Sequence, residues 1–515
     1  MQAHEARRRA NANANADAGG GAGADGIAWP AARAALVLAA VLAMVVAGSR
    51  WAQSDDEAPL IPPHGDHEGD PGYVDPRGPA DDRATSRAPV TPPLADVTPN
   101  ETTCSLGAPP RETRGLRVLD LSGCGLRSFS ARDVPDPRAL DVLFLTDNAL
   151  EAVPDLTPLS RLSRLSLKGN RIGGELDCAA LPPRLVHVIL TDNRIERVPA
   201  SCAPKLARLR KLMLARNRIR SFEGEFPELE LVRLSQNALE RVPAALLSSA
   251  SAPRLKWASF GANACCPLPA PGSRVPRVPA AEACRRTESQ LRASRPAEAD
   301  PDEGPDARLG SGTSGVAVRC GAGFTLKRFT GRSSDGDSAY EVAVTERVPA
   351  AHPNLVAPVA LAVEGATVVG VVMPRVQAAP VALPPDIVAV SRDIFPAARR
   401  ARFPPLRVLN ATLGAASAVR ALHAAGVAHG DVYLHNFLMT EGSAGAPRDA
   451  LIDMGAATLM DGLTAQERAA LQELDCRAFA VLADEMVRVV ARRPASAEER
   501  RALERAKDVS PCREA

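Results

Sequence analysis

Residues 162–172 read Leu-Ser-Arg-Leu-Ser-Leu-Lys-Gly-Asn-Arg-Ile, and residues 185–195 read Leu-Val-His-Val-Ile-Leu-Thr-Asp-Asn-Arg-Ile. Apolar residues fall at the first, fourth, sixth and eleventh positions of both, with Asn at the ninth. The same frame runs through Leu116, Leu119, Leu121, Cys124 and Leu126, and through Leu140, Leu143, Leu145, Asn148 and Leu150. It returns at Leu209, Leu212, Leu214, Asn217 and Ile219, and at Leu229, Val232, Leu234, Asn237 and Leu239. Leu255, Ala258, Phe260 and Asn263 close it in degraded form. A fixed frame recurring every 20 to 26 residues is the mark of a stacked array. The leucines of one turn cannot bury themselves, so each turn needs its neighbours. Each Asn amide can satisfy backbone groups in the bend after the strand.

This frame resembles the leucine-rich repeat, which implies an α/β solenoid over residues 111–270. Side chains alternate along a strand, so one set of positions faces the concave side. It includes Phe144, Arg164, Lys168, His187, Ile189, Lys211, Met213, Arg233 and Trp257. The stripe Arg164, Lys168, His187, Lys211 and Arg233 is basic, and a protein or peptide partner of acidic character is expected there. A plain solvated face is the competing reading.

Before the repeats, residues 1–30 are rich in Ala, Asn and Gly and read as disordered, and 51–110 read as a flexible stalk. Between them, Ala34–Ser49 is sixteen uncharged residues, inside a hydrophobic segment at 31–50. That length lies between a signal-peptide core and a spanning helix. A single-pass membrane anchor is the preferred reading; a cleaved signal, with a lumenal or secreted product, is next, and a buried helix last. Arginines 7–9 before it place the N-terminus in the cytoplasm by the positive-inside rule. Residues 271–307 read as a linker without an apolar run, so repeats and C-terminal region share one side of any membrane.

Composition narrows the function. Lys+Arg (62) and Asp+Glu (60) nearly cancel, which gives no footprint for nucleic acid. Ten cysteines occur without a Cys-x-x-Cys pair, so no zinc site is expected. Cys104 before the repeats and Cys265, Cys266 and Cys284 after them would suit disulfide-closed solenoid ends in an oxidising compartment. Buried free thiols are the equal alternative.

The chemistry lies in residues 308–515. Leu309-Gly310-Ser-Gly312-Thr-Ser-Gly315-Val316-Ala-Val318 reads as strand, glycine turn, strand, and Phe324–Phe329 is an alternating strand carrying Lys327. Tyr340–Val348 has helical period and precedes His352-Pro-Asn-Leu-Val356. Leu422–Leu438 contains His429-Gly-Asp431 and Asn436; Ile452-Asp453-Met-Gly455 and Asp475 follow. In this order the segments resemble a protein kinase, which implies a two-lobed α+β domain binding ATP and magnesium. The resemblance assigns ATP phosphates to Gly310, Gly312, Gly315 and Lys327, and its cofactor pocket to Val318. Glu341 would orient Lys327; it is preferred to Glu346, which falls on the wrong side of the helix if Val342, Val344 and Val348 pack inward. Asp431 would be the base, and Asn436 and Asp453 would hold magnesium.

The pattern departs from that family at four places. Gly430 replaces the arginine before the base, and Tyr433 replaces a lysine. No Ala-Pro-Glu motif follows Asp453, and the chain runs only forty residues past Asp475. The expectation is a divergent Ser/Thr-type kinase with a recognition solenoid. A pseudokinase scaffold and a small-molecule kinase of the same superfamily remain as alternatives.

Overall fold

The structure is a computed structural model, and it describes Cys104 and residues 110–269, 275–284, 308–312, 314–321, 323–330, 335–336, 338–440 and 449–512. The expected disordered start, hydrophobic segment and most of the stalk lie outside these residues.

From Leu116 to Ser259 the repeat frame becomes a curved sheet. Strands Leu116–Asp120, Val142–Phe144, Arg164–Ser166, His187–Ile189, Lys211–Met213, Leu231–Arg233 and Trp257–Ser259 lie side by side, preceded by an antiparallel strand Arg111–Thr113. Neighbours pair in parallel, in register through Leu143, Leu165, Val188, Leu212, Val232 and Ala258. These frame positions point inward and are essentially sealed from solvent. The Asn ladder closes the turns. Asn193 Oδ1 accepts from the Ile172 amide at 3.0 Å, and its Nδ2 donates to the Leu167 and Leu190 carbonyls at 2.9 and 3.0 Å. Asn170, Asn217, Asn237 and Asn263 repeat the arrangement one turn away each. A buried amide with every bond made ties two turns together and leaves no orphaned backbone group.

The C-terminal region begins with a six-stranded sheet. Its order is Arg277–Pro279, Ala360–Glu364, Thr367–Pro374, Phe324–Phe329, Gly315–Cys320 and Arg308–Ser311. The first of these corrects the linker reading. Arg277–Pro279 pairs in parallel with Ala360–Glu364, Val278 is buried, and Cys284 is bridged to Cys320. Flanking prolines hide this strand in the sequence, because they lack the donors of an inner strand, yet an edge tolerates them. The helix Ser338–Thr345 packs beside the sheet, and helices Pro405–Ala424, Ala465–Glu485 and Ala497–Asp508 follow, with a small sheet of Ala379–Pro380, Phe437–Met439 and Ala450–Leu451 and a pair of Val427–Ala428 with Thr458–Leu459. The helix Ala465–Glu485 starts on a capping box in which Thr464 and Glu467 each bond the other's backbone amide.

The two regions do not have separate cores. Ala428, Met460, Leu463, Leu471 and Leu474 join the solenoid core, while Met213, Leu231 and Trp257 join the helical one. Four disulfides, Cys104–Cys124, Cys178–Cys202, Cys284–Cys320 and Cys476–Cys512, pin the described chain. Cys265 and Cys266 are buried and unbridged, so the expected closure holds at the N-terminal end of the solenoid and not at the other.

Candidate active site

The glycine turn sits at the sheet edge. A Cβ on Gly315 would lie 2.3 Å from the Arg328 carbonyl, so strand packing alone demands that glycine. A Cβ on Gly310 or Gly312 would meet nothing within 4 Å. Protein packing does not require these two, whereas a backbone that must lie close to a ligand does.

Lys327 projects from the middle of the sheet and bridges two carboxylates. Its Nζ donates to Glu341 Oε1 and, at 3.0 Å, to Asp453 Oδ1. Burial works against the charge on Lys327, but Asp453 and Glu341 outweigh it and hold its pKa above the ordinary lysine range. Burial likewise opposes ionisation of Asp453, and Lys327 with the Gly455 amide overcomes it and brings the carboxyl to about 2. Asp453 holds a left-handed backbone, φ 64°, which turns its carboxylate toward the lysine. Glu341 is the partner, not Glu346.

Val318 is a correction. It pairs across the strands with Leu326, while Lys327 pairs with Ala317. Cross-strand partners share a face, so Val318 lies on the opposite face from Lys327, packed with Val278, Cys320 and Leu326. Ala317 occupies the face that the resemblance assigned to Val318.

The catalytic-loop residues are held from below by Asp475. Its carboxylate accepts from the amides of His429 at 2.7 Å and Gly430 at 2.8 Å, and meets His423 Nε2 at 2.9 Å. Asn436 Nδ2 donates to Asp431 Oδ2 at 2.8 Å and to the Asp431 carbonyl at 3.0 Å. As a metal ligand Asn436 would use its other amide atom, Oδ1. His435 Nδ1 sits 2.6 Å from Asp393, and its Nε2 faces Asp431 Oδ2 at 4.0 Å. Burial lowers the His435 pKa, but Asp393 and Asp431 prevail and raise it. Nothing in the sequence reading pointed to His435; only its place directly before Asn436 could have.

The solenoid covers this loop. Arg233 donates through Nε to Asp335 at 2.8 Å, through Nη1 to the Gly430 carbonyl at 3.0 Å, and through Nη2 to Asp431 Oδ1. Trp257 stacks on Tyr433 with ring centroids 4.2 Å apart, and its Nε1 donates to the Val432 carbonyl at 3.1 Å. Arg164 reaches the carbonyls of Ile387 and Val388. Of the concave stripe, Arg233 is thus engaged within the chain, by Asp335, Gly430 and Asp431. His187 is buried, with neither ring nitrogen bonded, and burial together with nearby Lys211 and Arg164 pushes its pKa well down.

Two departures from the kinase pattern lie against the solenoid. Gly430 has φ 69°, and a Cβ there would lie 2.5 Å from the Ala258 carbonyl and 2.7 Å from that of Ala456. An arginine cannot occupy that position while the last solenoid strand packs on it. Tyr433, where that pattern has a lysine, is buried and stacks on Trp257.

A buried lysine between two carboxylates, an Asp–Asn pair and an open glycine turn define a kinase-like domain fused to a repeat solenoid. Residues 397–488, which include Asp431, Asn436, Asp453 and Asp475, match the model of the lipopolysaccharide kinase (Kdo/WaaP) family. Among solved structures, the chain is similar to the APL1 leucine-rich repeat domain at 17% identity and a TM-score of 0.22, over 28% of this chain. It spans about half, 49%, of that structure.

Proposed function

We propose that this chain transfers a phosphoryl group from magnesium-bound ATP to a hydroxyl acceptor. The observation that carries the reading is Lys327 bridged between Glu341 and Asp453, in the same domain as an Asp431–Asn436 pair. The donor set fits the cofactor: a fixed cation for phosphate oxygens, a carboxylate and an amide oxygen for magnesium, and a turn open to phosphates. The bound nucleotide supplies the electrophilic phosphorus. Lys327 orients phosphate, Glu341 holds Lys327, Asp453 and Asn436 hold the metal, and Asp431 accepts the hydroxyl proton. Catalysis then rests on positioning and charge neutralisation. The sheet with its single helix, followed by the helical region, supports the two-lobed arrangement.

For the acceptor, a saccharide hydroxyl is favoured over a protein Ser/Thr. Trp257 and Arg233 cover the catalytic loop where an extended peptide would need room, and the matched family is named for lipopolysaccharide. A scaffold without turnover is the second reading, favoured by the two bonds that already engage Asp431. Four disulfides support an oxidising compartment, and residues 31–50 remain the proposed membrane attachment.

The test is magnesium-dependent ATP consumption by the full chain, offered saccharides and Ser/Thr peptides in parallel, beside Asp431→Ala and Asp453→Ala. Turnover lost in both variants supports the enzyme. Nucleotide binding without turnover, unchanged in Asp431→Ala, leaves the scaffold.

A further inference from the structure

We propose that Arg233, a residue of the solenoid, is a positioning residue of the phosphoryl-transfer site, fixing the Asp431 carboxylate and supplying the cation that the loop lacks at Tyr433. The inference rests on the phosphoryl-transfer reading above.

The Arg233 side chain is only 3% exposed, so its charge is sustainable only while paired. Three acceptors meet it in a fork: Asp335, the Gly430 carbonyl and Asp431. A planar guanidinium presents separate donors to all three in fixed directions, whereas a lysine is a point charge on a flexible stem. Asp431 is thereby set from two sides, Oδ1 by Arg233 and Oδ2 by Asn436. A carboxylate offers about four lone-pair sites, so two bonds leave acceptor capacity for a substrate proton. The Asp431 side chain is 17% exposed, which keeps that capacity reachable.

The alternative, a latch that shuts the site, fits the surroundings less well. A latch needs an interface that can open at small cost. Here Trp257 is buried in the helical core, the Phe260 amide donates to Thr458 Oγ1 at 3.1 Å, and the Val242 amide donates to Glu467 at 3.3 Å. Gly261 lies against Tyr340 so closely that a Cβ would come within 2.3 Å of its ring. The contact is a shared core, and Arg233 is held in it as a fixed part.

The test uses the full chain with the same saccharides and Ser/Thr peptides offered as acceptors, following ADP release from magnesium-ATP in wild type, Arg233→Ala and Arg233→Lys. A lost fixed donor costs about a hundredfold in kcat. We expect that loss in Arg233→Ala with KM and affinity for ATP unchanged, because Lys327 and Asp453 are untouched. Added millimolar guanidinium restores part of the rate in Arg233→Ala and none in Asp431→Ala. The lysine variant keeps the charge and loses the fork, so it falls between the two; it carries the test if the alanine variant does not fold. An unchanged kcat, a raised kcat as for a released latch, or a parallel loss of ATP affinity overturns the proposal. Wild type that binds ATP without ADP release instead removes the phosphoryl-transfer reading, and the inference with it.

Discussion

Gly430 and Asn193 show how one residue can serve two turns of chain. At Gly430 a left-handed backbone and the Ala258 carbonyl both exclude a side chain. Gly430→Ala therefore combines backbone strain with overpacking, each about 1–3 kcal/mol. The expected result is a lower melting temperature together with reduced turnover, read by calorimetry and ADP release on one sample. Asn193→Ala leaves the buried Ile172 amide without its partner, while the Leu167 and Leu190 carbonyls keep one donor each, from Asn170 and Asn217. Unfolding in urea should find it about 1–3 kcal/mol less stable, the cost of one buried unpaired group. A value within a few tenths of wild type would sink the ladder as a source of stability. At this scale much was readable in advance. The Asn positions follow from the repeat frame, and Lys327, Glu341, Asp431, Asn436 and Asp453 from motif order. Val318 was misplaced by one residue, which on a strand is the wrong face.

Among the elements, the helix Ala465–Glu485 carries a carboxylate near each end, with opposite consequences. Glu467 at its start serves the cap. Near its end burial, then Asp393, raises the Glu485 carboxyl from 4.5 to about 8. A carboxyl whose folded pKa is raised binds a proton more tightly folded than unfolded. Its contribution is present below 4.5 and is lost as pH rises toward 8. Glu485→Gln should thus raise the melting temperature at pH 8 and change it little at pH 4, in paired thermal melts. Equal shifts at both values would show that the carboxyl is not held in this way. Asp475, singled out by motif order, lies in the middle of this helix, which begins ten residues before it. The strand Arg277–Pro279 was not legible, because its pairing partner lies more than eighty residues away and its own pattern is broken by prolines. No local signal announces an edge strand whose order comes from one buried valine and a disulfide.

As a whole molecule, solenoid and kinase-like domain are one folded body over the described residues. Trp257 is the largest fully buried side chain and belongs to both. Trp257→Ala should cost about 3–5 kcal/mol and weaken the melting of the two regions together, in one transition. Two separate transitions would contradict a shared core. The contact was beyond sequence reading because both surfaces had a sufficient explanation alone: a basic concave stripe suited an outside ligand, and a glycine before the base suited a divergent kinase. Only their juxtaposition shows that each accounts for the other.

Solenoids commonly gain and lose repeats with little harm, since each turn touches only its neighbours. Here that freedom is gone. Adjacent strands lie about 4.8 Å apart, and Arg233 and Trp257 stand on neighbouring strands while gripping residues 430–433. Inserting a turn between them would carry one grip a full strand spacing off its target. The C-terminal turns of the array therefore work as a gauge block, whose spacing is set by the loop it measures.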